Sequence, residues 1–147
     1  MLKIGVFLTI FLMMYSCKFG ERDVPSLPIK AEDKVKILAD STNYTSIQWI
    51  DSTYKNCGEI TEGGKMEINY KFKNTGNKPL YFHSVSASCG CTLVDKPEKA
   101  ILPGDESIIK SVFNSKGRIG LQEKQITITC NTNPNIHILR FKLNVKK

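Results

Sequence analysis

The run from Met66 to Lys73 constrains this chain more than any other stretch. Met66, Ile68, Tyr70 and Phe72 alternate with Glu67, Asn69, Lys71 and Lys73. Side chains two apart share one face of a strand, whereas a helix of 3.6 residues per turn would scatter them. The run is a strand with one buried face, and it needs a second layer to cover that face. Asn74-Thr75-Gly76-Asn77-Lys78-Pro79 follows with turn chemistry. Further strands are expected at Ser46 to Asp51, near Glu59-Ile60, and over Leu80 to Val85. Ser107 to Phe113, Gln125 to Cys130 and Ile136 to Val145 complete the set, with Asn114 to Gly120 as a loop. About seven strands with no helix longer than a turn or two predict an all-β, immunoglobulin-like β-sandwich. Trp49 precedes Cys57, so the Cys–Trp–Cys order of antibody domains is absent, and Trp49 is expected in the core or at its end.

The start of the chain says where the domain should live. Lys3 precedes the apolar run Ile4 to Ser16, which ends at Cys17. That layout is a bacterial lipoprotein signal: a cationic start, a short apolar core, a small residue and a cysteine. The run is shorter than the ~20 residues of a membrane span. Cleavage before Cys17 would let its thiol take a diacylglyceryl group and its amine a further acyl chain, and more than one chain anchors stably. Tyr15 is bulky for such a site, so ordinary secretory cleavage and an uncleaved anchor stay open. The expected organisation is residues 1–16 as signal peptide, 17–43 as lipidated cysteine and tether, and 44–147 as sandwich. Pro25, Pro28 and mixed charge mark the tether, in which Ala31 to Leu38 fits one helical turn or a short strand. Lys18 lacks the inner-membrane retention signal of an Asp at that place, which leans towards an outer-membrane anchor. The domain would then face the periplasm or the cell surface.

The formal net charge is +7 over 147 residues. The basic residues are scattered, with no run of five or six and no interleaved aromatics, so nucleic acid is not an expected partner. Export permits disulfides. Of the five cysteines, Cys57, Cys89, Cys91 and Cys130 lie beyond the signal, and four thiols allow three full pairings.

Several motifs occur in a fixed order: Cys57-Gly58-Glu59-Ile60-x-Glu62-Gly63, Tyr70-Lys71-Phe72-Lys73-Asn74-Thr75-Gly76 and Lys78-Pro79-Leu80. Ser88-Cys89-Gly90-Cys91-Thr92, Ile101-Leu102-Pro103-Gly104 and Phe113-Asn114-Ser115-Lys116-Gly117 follow. Together they resemble the bacterial exported domain of unknown function number fifteen-seventy-three, over about Ile47 to Val145. The resemblance implies an ASH or PapD-like member of the immunoglobulin-type sandwiches. It also implies a secreted or lipid-anchored protein, in agreement with Cys17, and brings no established activity. Cys57 stands where that family usually has an aromatic residue, Ser111 where it has Val, and Cys130 where it has a small polar residue.

Cys89-Gly90-Cys91 is the sharpest chemical constellation. In extended chain both sulfurs face one side, and Gly90 lets the backbone bend. The pair can pack as small hydrophobes, close into a disulfide, cycle between dithiol and disulfide, or bind copper(I). Cys130 shares the buried face of Ile126 and Ile128, and Cys57 replaces a core aromatic. The two either form a disulfide across the sandwich, with ~3–5 kcal/mol from loop closure, or stay separate buried thiols. His83 and His137 are expected at the surface or a strand edge, and no closed zinc spacing occurs. No G-x-S-x-G elbow, H-E-x-x-H, P-loop or G-x-G-x-x-G is present. The expectation is therefore a non-enzymatic cell-envelope lipoprotein with no cofactor, held to the membrane by Cys17 and binding an envelope protein. A thiol-redox or copper-handling protein using Cys89 and Cys91 is the alternative.

Overall fold

The computed structural model describes residues 30–147. Cys17 and the signal segment lie outside the described residues. Eight strands form two four-stranded sheets. One sheet has the order β1 (Ile47–Trp49), β3 (Lys65–Asn74), β6 (Glu106–Asn114), β5 (Thr92–Asp95). The other has the order β2 (Tyr54–Thr61), β8 (Ile136–Lys146), β7 (Gly120–Cys130), β4 (Phe82–Ala87). All neighbours are antiparallel except β2, which runs parallel to β8.

The alternation that predicted β3 is what builds the core. Ile68, Tyr70 and Phe72 are buried from one sheet, with Ile109 and Phe113 of β6 beside them. Ile126 and Ile128 of β7 and Leu139, Phe141, Leu143 and Val145 of β8 meet them from the other. Each such side chain contributes ~1.5–3 kcal/mol on leaving water. The rings pack edge to face: Phe72 on Phe82 at 5.1 Å, and Phe113 on Phe141 at 5.9 Å. Trp49 closes against Phe72 at 5.6 Å, so it is an end-plug of the core. The Tyr70 hydroxyl donates to the Arg140 carbonyl at 2.8 Å, a polar tie between the two sheets.

Several elements differ from the sequence-based expectation. β2 is a full eight-residue strand, bent by a bulge between Asn56 and Glu59 where Gly58 takes a φ of 74°. Its side chains are mostly exposed, so periodicity understates it. β5, absent from the expected set, has four residues that pair with β6. The segment before β1 forms a nine-residue helix, α1 (Ala31–Ala39), in place of one turn or a strand. Glu32 and Asp33 sit in its first turn, where carboxylates favour a helix N-terminus. Asp40 then accepts from the Thr42 amide at 2.9 Å and caps the single 3-10 turn Ser41–Asn43.

Candidate functional site

The two ends of the sandwich are built differently. At the entry end, the chain reaches the sheets through Thr45, which bridges to Thr132 in parallel. Two buried amides hold this end. Asn131 accepts from the Tyr81 amide at 2.7 Å and donates to the carbonyls of Asn43 at 2.7 Å and Pro79 at 3.0 Å. Asn74 donates to the carbonyls of Lys78 and Ile101, both at 2.8 Å. It accepts from the Thr45 hydroxyl at 2.9 Å and the Gly76 amide at 3.1 Å. Both side chains are fully satisfied and 0% exposed. They reinforce the isolated bridges Thr45–Thr132 and Leu80–Ile101, and their bonds offset the desolvation of the buried amides.

The loop end lies at the far side of the nine-residue β6, roughly 30 Å away at ~3.3 Å per residue. It carries the turn after β2, the loop from Ser115 to Ile119, and the corner where the chain leaves β4 for β5. That corner holds Cys89 and Cys91, which are disulfide-bonded with Cα atoms 5.2 Å apart. Backbone bonds hold the corner as well: the Ser88 amide donates to Gln125 at 2.8 Å, and the Asn114 amide to Cys91 at 2.8 Å. Cys91 is buried, Cys89 half-buried and Gly90 exposed. The Thr92 hydroxyl lies 3.7 Å from the Cys89 sulfur and 3.9 Å from that of Cys91. A three-residue ring removes little freedom from the unfolded chain, worth ~1.6 kcal/mol in the loop-closure model.

Leu93 at 73% and Leu121 at 72% are the most exposed large apolar side chains among the described residues, with Ile119 at 52%. Leu121 and Ile119 crown the loop end, and Leu93 lies on the edge strand β5 beside the disulfide corner. Sequence reasoning passed over them. Their signal was phase: Leu121 falls on the same face as Glu123 and Gln125, outside the buried set.

Cys57 and Cys130 are not joined; both are free. They belong to the same sheet, so no bridge between sheets is available to them. The Cys130 amide donates to the Asn135 carbonyl just before β8, while Cys57 sits in the bulge opposite Lys142 to Asn144. About seven residues of β8 separate these points, roughly 23 Å, against the ~7 Å limit for a disulfide's Cα atoms. Burial pushes the Cys57 thiol up and that of Cys130 up to about 11, with the Thr132 hydroxyl opposing in the latter. Neither thiol is primed as a nucleophile. His83 is exposed, as expected for its phase. His137 is half-buried instead of lying at the surface, 6.0 Å from the Trp49 ring. Thr132 donates to the Pro134 carbonyl at 2.6 Å, so its oxygen accepts from His137 Nε2 at 2.7 Å. Among the described residues no three His, Cys, Asp or Glu side chains converge as a metal site, and no helix is long and apolar enough to cross a membrane.

Residues 47–145 match the model of a family described as "Protein of unknown function (DUF1573)". The chain belongs to the DUF1573 family. No curated protein matches the sequence. Among solved structures, this DUF1573 domain is similar to a protein of unknown function from Porphyromonas gingivalis W83. Identity there is 18% and the TM-score 0.60, over 71% of this chain and 49% of the other. The chain thus spans about half the length of that protein. It is also similar to the ASH/PapD-like domain 7 of human CEP192, with 15% identity and a TM-score of 0.53 over 71% of this chain and 87% of that one. At this identity the likeness establishes the fold, an immunoglobulin-type, PapD-like sandwich, and leaves function to the residues of the site.

Proposed function

We propose that this DUF1573 protein is a non-enzymatic cell-envelope lipoprotein, anchored through Cys17, whose sandwich binds a protein partner through its loop end. The observation that carries the reading is the opposition of the two ends. The chain arrives at the end clamped by Asn74 and Asn131, where Ile136 is also exposed, while the two most exposed large apolar side chains among the described residues, Leu121 and Leu93, lie at or towards the other. An anchor on the arriving segment would hold the clamped end towards the membrane and present the loop end away from it. Exposed apolar side chains on a rigid scaffold are what a partner's surface buries. The edge strand β5 adds unpaired main-chain groups for strand addition. Under this reading the anchor sits in the outer membrane and the domain faces the periplasm or the cell surface.

The test uses the full chain in cells, with a photo-crosslinking residue at Leu121 in one strain and at Asp105 in another. The reading expects one discrete protein adduct from Leu121 and none from Asp105. The same adduct from both positions, or none from either, would remove the loop end as the contact. The anchor is tested separately. Cys17→Ser should move the protein from the membrane fraction to the soluble envelope fraction, and unchanged fractionation would refute lipid anchoring.

A further inference from the structure

We propose that Cys89–Cys91 is a thiol–disulfide exchange site that accepts two electrons from the dithiol of a partner protein, with Cys89 the attacked sulfur and Cys91 the leaving sulfur. Three observations carry this. First, the ring contributes little to holding the corner. The Ser88, Thr92 and Asn114 amides donate to Gln125, Cys89 and Cys91 carbonyls, so main-chain bonds hold the turn alongside the disulfide. Second, the two residues are unequal: Cys91 is 5% exposed and belongs to the core, whereas Cys89 is half-buried and packs against its edge. Nothing lies within 4 Å of a Cβ built on Gly90, so the backbone between the two cysteines borders open space. Third, Thr92 Oγ1 lies 3.7 and 3.9 Å from the two sulfurs and can turn its proton to whichever becomes charged.

The electrons balance as follows. A partner thiolate attacks Cys89 Sγ and forms a new S–S bond. The Cys89–Cys91 bond breaks, and its electron pair leaves on Cys91 Sγ, which takes a proton from solvent. The partner's second thiolate then attacks the partner's own sulfur in the mixed disulfide. Cys89 leaves as thiolate and is protonated. The partner dithiol is oxidised to a disulfide, and Cys89 and Cys91 are reduced to two thiols. Burial of Cys91 shields the leaving sulfur and directs attack to Cys89. The corner lies at the loop end, but exchange requires no lasting complex, so this inference does not rest on the interaction reading.

The test incubates the oxidised full chain with reduced glutathione as a monothiol probe, quenches with an alkylating agent and maps the adducts by mass. A linear Cys-Gly-Cys peptide disulfide, open at both sulfurs, is the reference. The folded protein should carry glutathione on Cys89 at least tenfold over Cys91, while the peptide shows no such preference. An even split in the protein, a preference for Cys91, or no reaction without denaturant would overturn the proposal. A second measurement asks whether both redox states fold. After reduction by dithiothreitol the protein should keep a cooperative thermal transition, as should the Cys89→Ser, Cys91→Ser double variant. Loss of that transition in both would make the bond structural and refute the exchange role.

Discussion

The entry end and the loop end share the same two sheets but are held by different physics. At the entry end, the side chains of Asn74 and Asn131 make seven hydrogen bonds, five of them to residues far away in sequence. Both Asn side chains are fully buried and fully bonded, so the end has little freedom to change. At the loop end, buried Ser115 donates to the Thr61 and Gly64 carbonyls, both at 2.9 Å, but the turn outside it rests on exposed bonds: Gly117 N donates to Glu62 Oε1 at 3.2 Å and Lys116 N to Asn114 Oδ1 at 3.0 Å. Such bonds exchange with water at small cost. The contrast shows how one sandwich combines a fixed mount with a variable surface.

The contrast can be broken first at Asn131. Asn131→Ala strands the Tyr81 amide and the Asn43 and Pro79 carbonyls, and the loss should reach ~3–5 kcal/mol in urea unfolding. A loss below about 1 kcal/mol would mean the clamp is not what holds that end. Paired glycine variants sharpen the point. A Cβ on Gly76 would lie 2.1 Å from Thr45 Oγ1 and 2.5 Å from Ser46 N, so Gly76→Ala should cost ~2–3 kcal/mol. Gly90→Ala, with open space around it, should stay within ~0.5 kcal/mol. Equal effects on thermal unfolding would erase the distinction. Replacing Cys89 and Cys91 by Ser should lower stability by less than ~2 kcal/mol, the worth of so small a ring.

The smallest effect is on pH dependence. Burial holds His137 below its ordinary value, against the opposing Pro134 carbonyl. The folded state therefore disfavours its proton more than the unfolded state does. Stability from this group is intact above the unfolded value, ~6.5, and is lost as pH falls towards the folded one. His137→Gln should flatten the decline in melting temperature below pH ~6.5. An unchanged profile would assign the decline to other groups.

The sandwich was legible because its core depends on alternation. Met66 to Lys73 and Ile126 to Cys130 announce a buried face in any context. β5 was hidden because four residues between the Gly90 corner and Pro97 are too few to show a period. β2 was understated because an edge strand with exposed side chains lacks a hydrophobic stripe. Cys89 and Cys91 were legible as a pair from spacing alone. The fate of Cys57 and Cys130 was not, because it depends on which sheet each strand joins and at what height. Asn74 reads as a turn residue and Asn131 falls between two expected strands, since a satisfied buried amide and a solvated one have the same letter. Only the convergence of Asn43, Pro79, Tyr81 and Asn131 reveals the clamp.

Amide hydrogen exchange resolved by residue tests the opposition of the two ends most directly. The Tyr81 and Gly76 amides, held by Asn131 and Asn74, should exchange only with global unfolding. The Lys116 and Gly117 amides should exchange orders of magnitude faster, by local opening. Fast exchange at Tyr81 and Gly76, or equal protection at all four, would contradict a clamped mount facing a free contact surface.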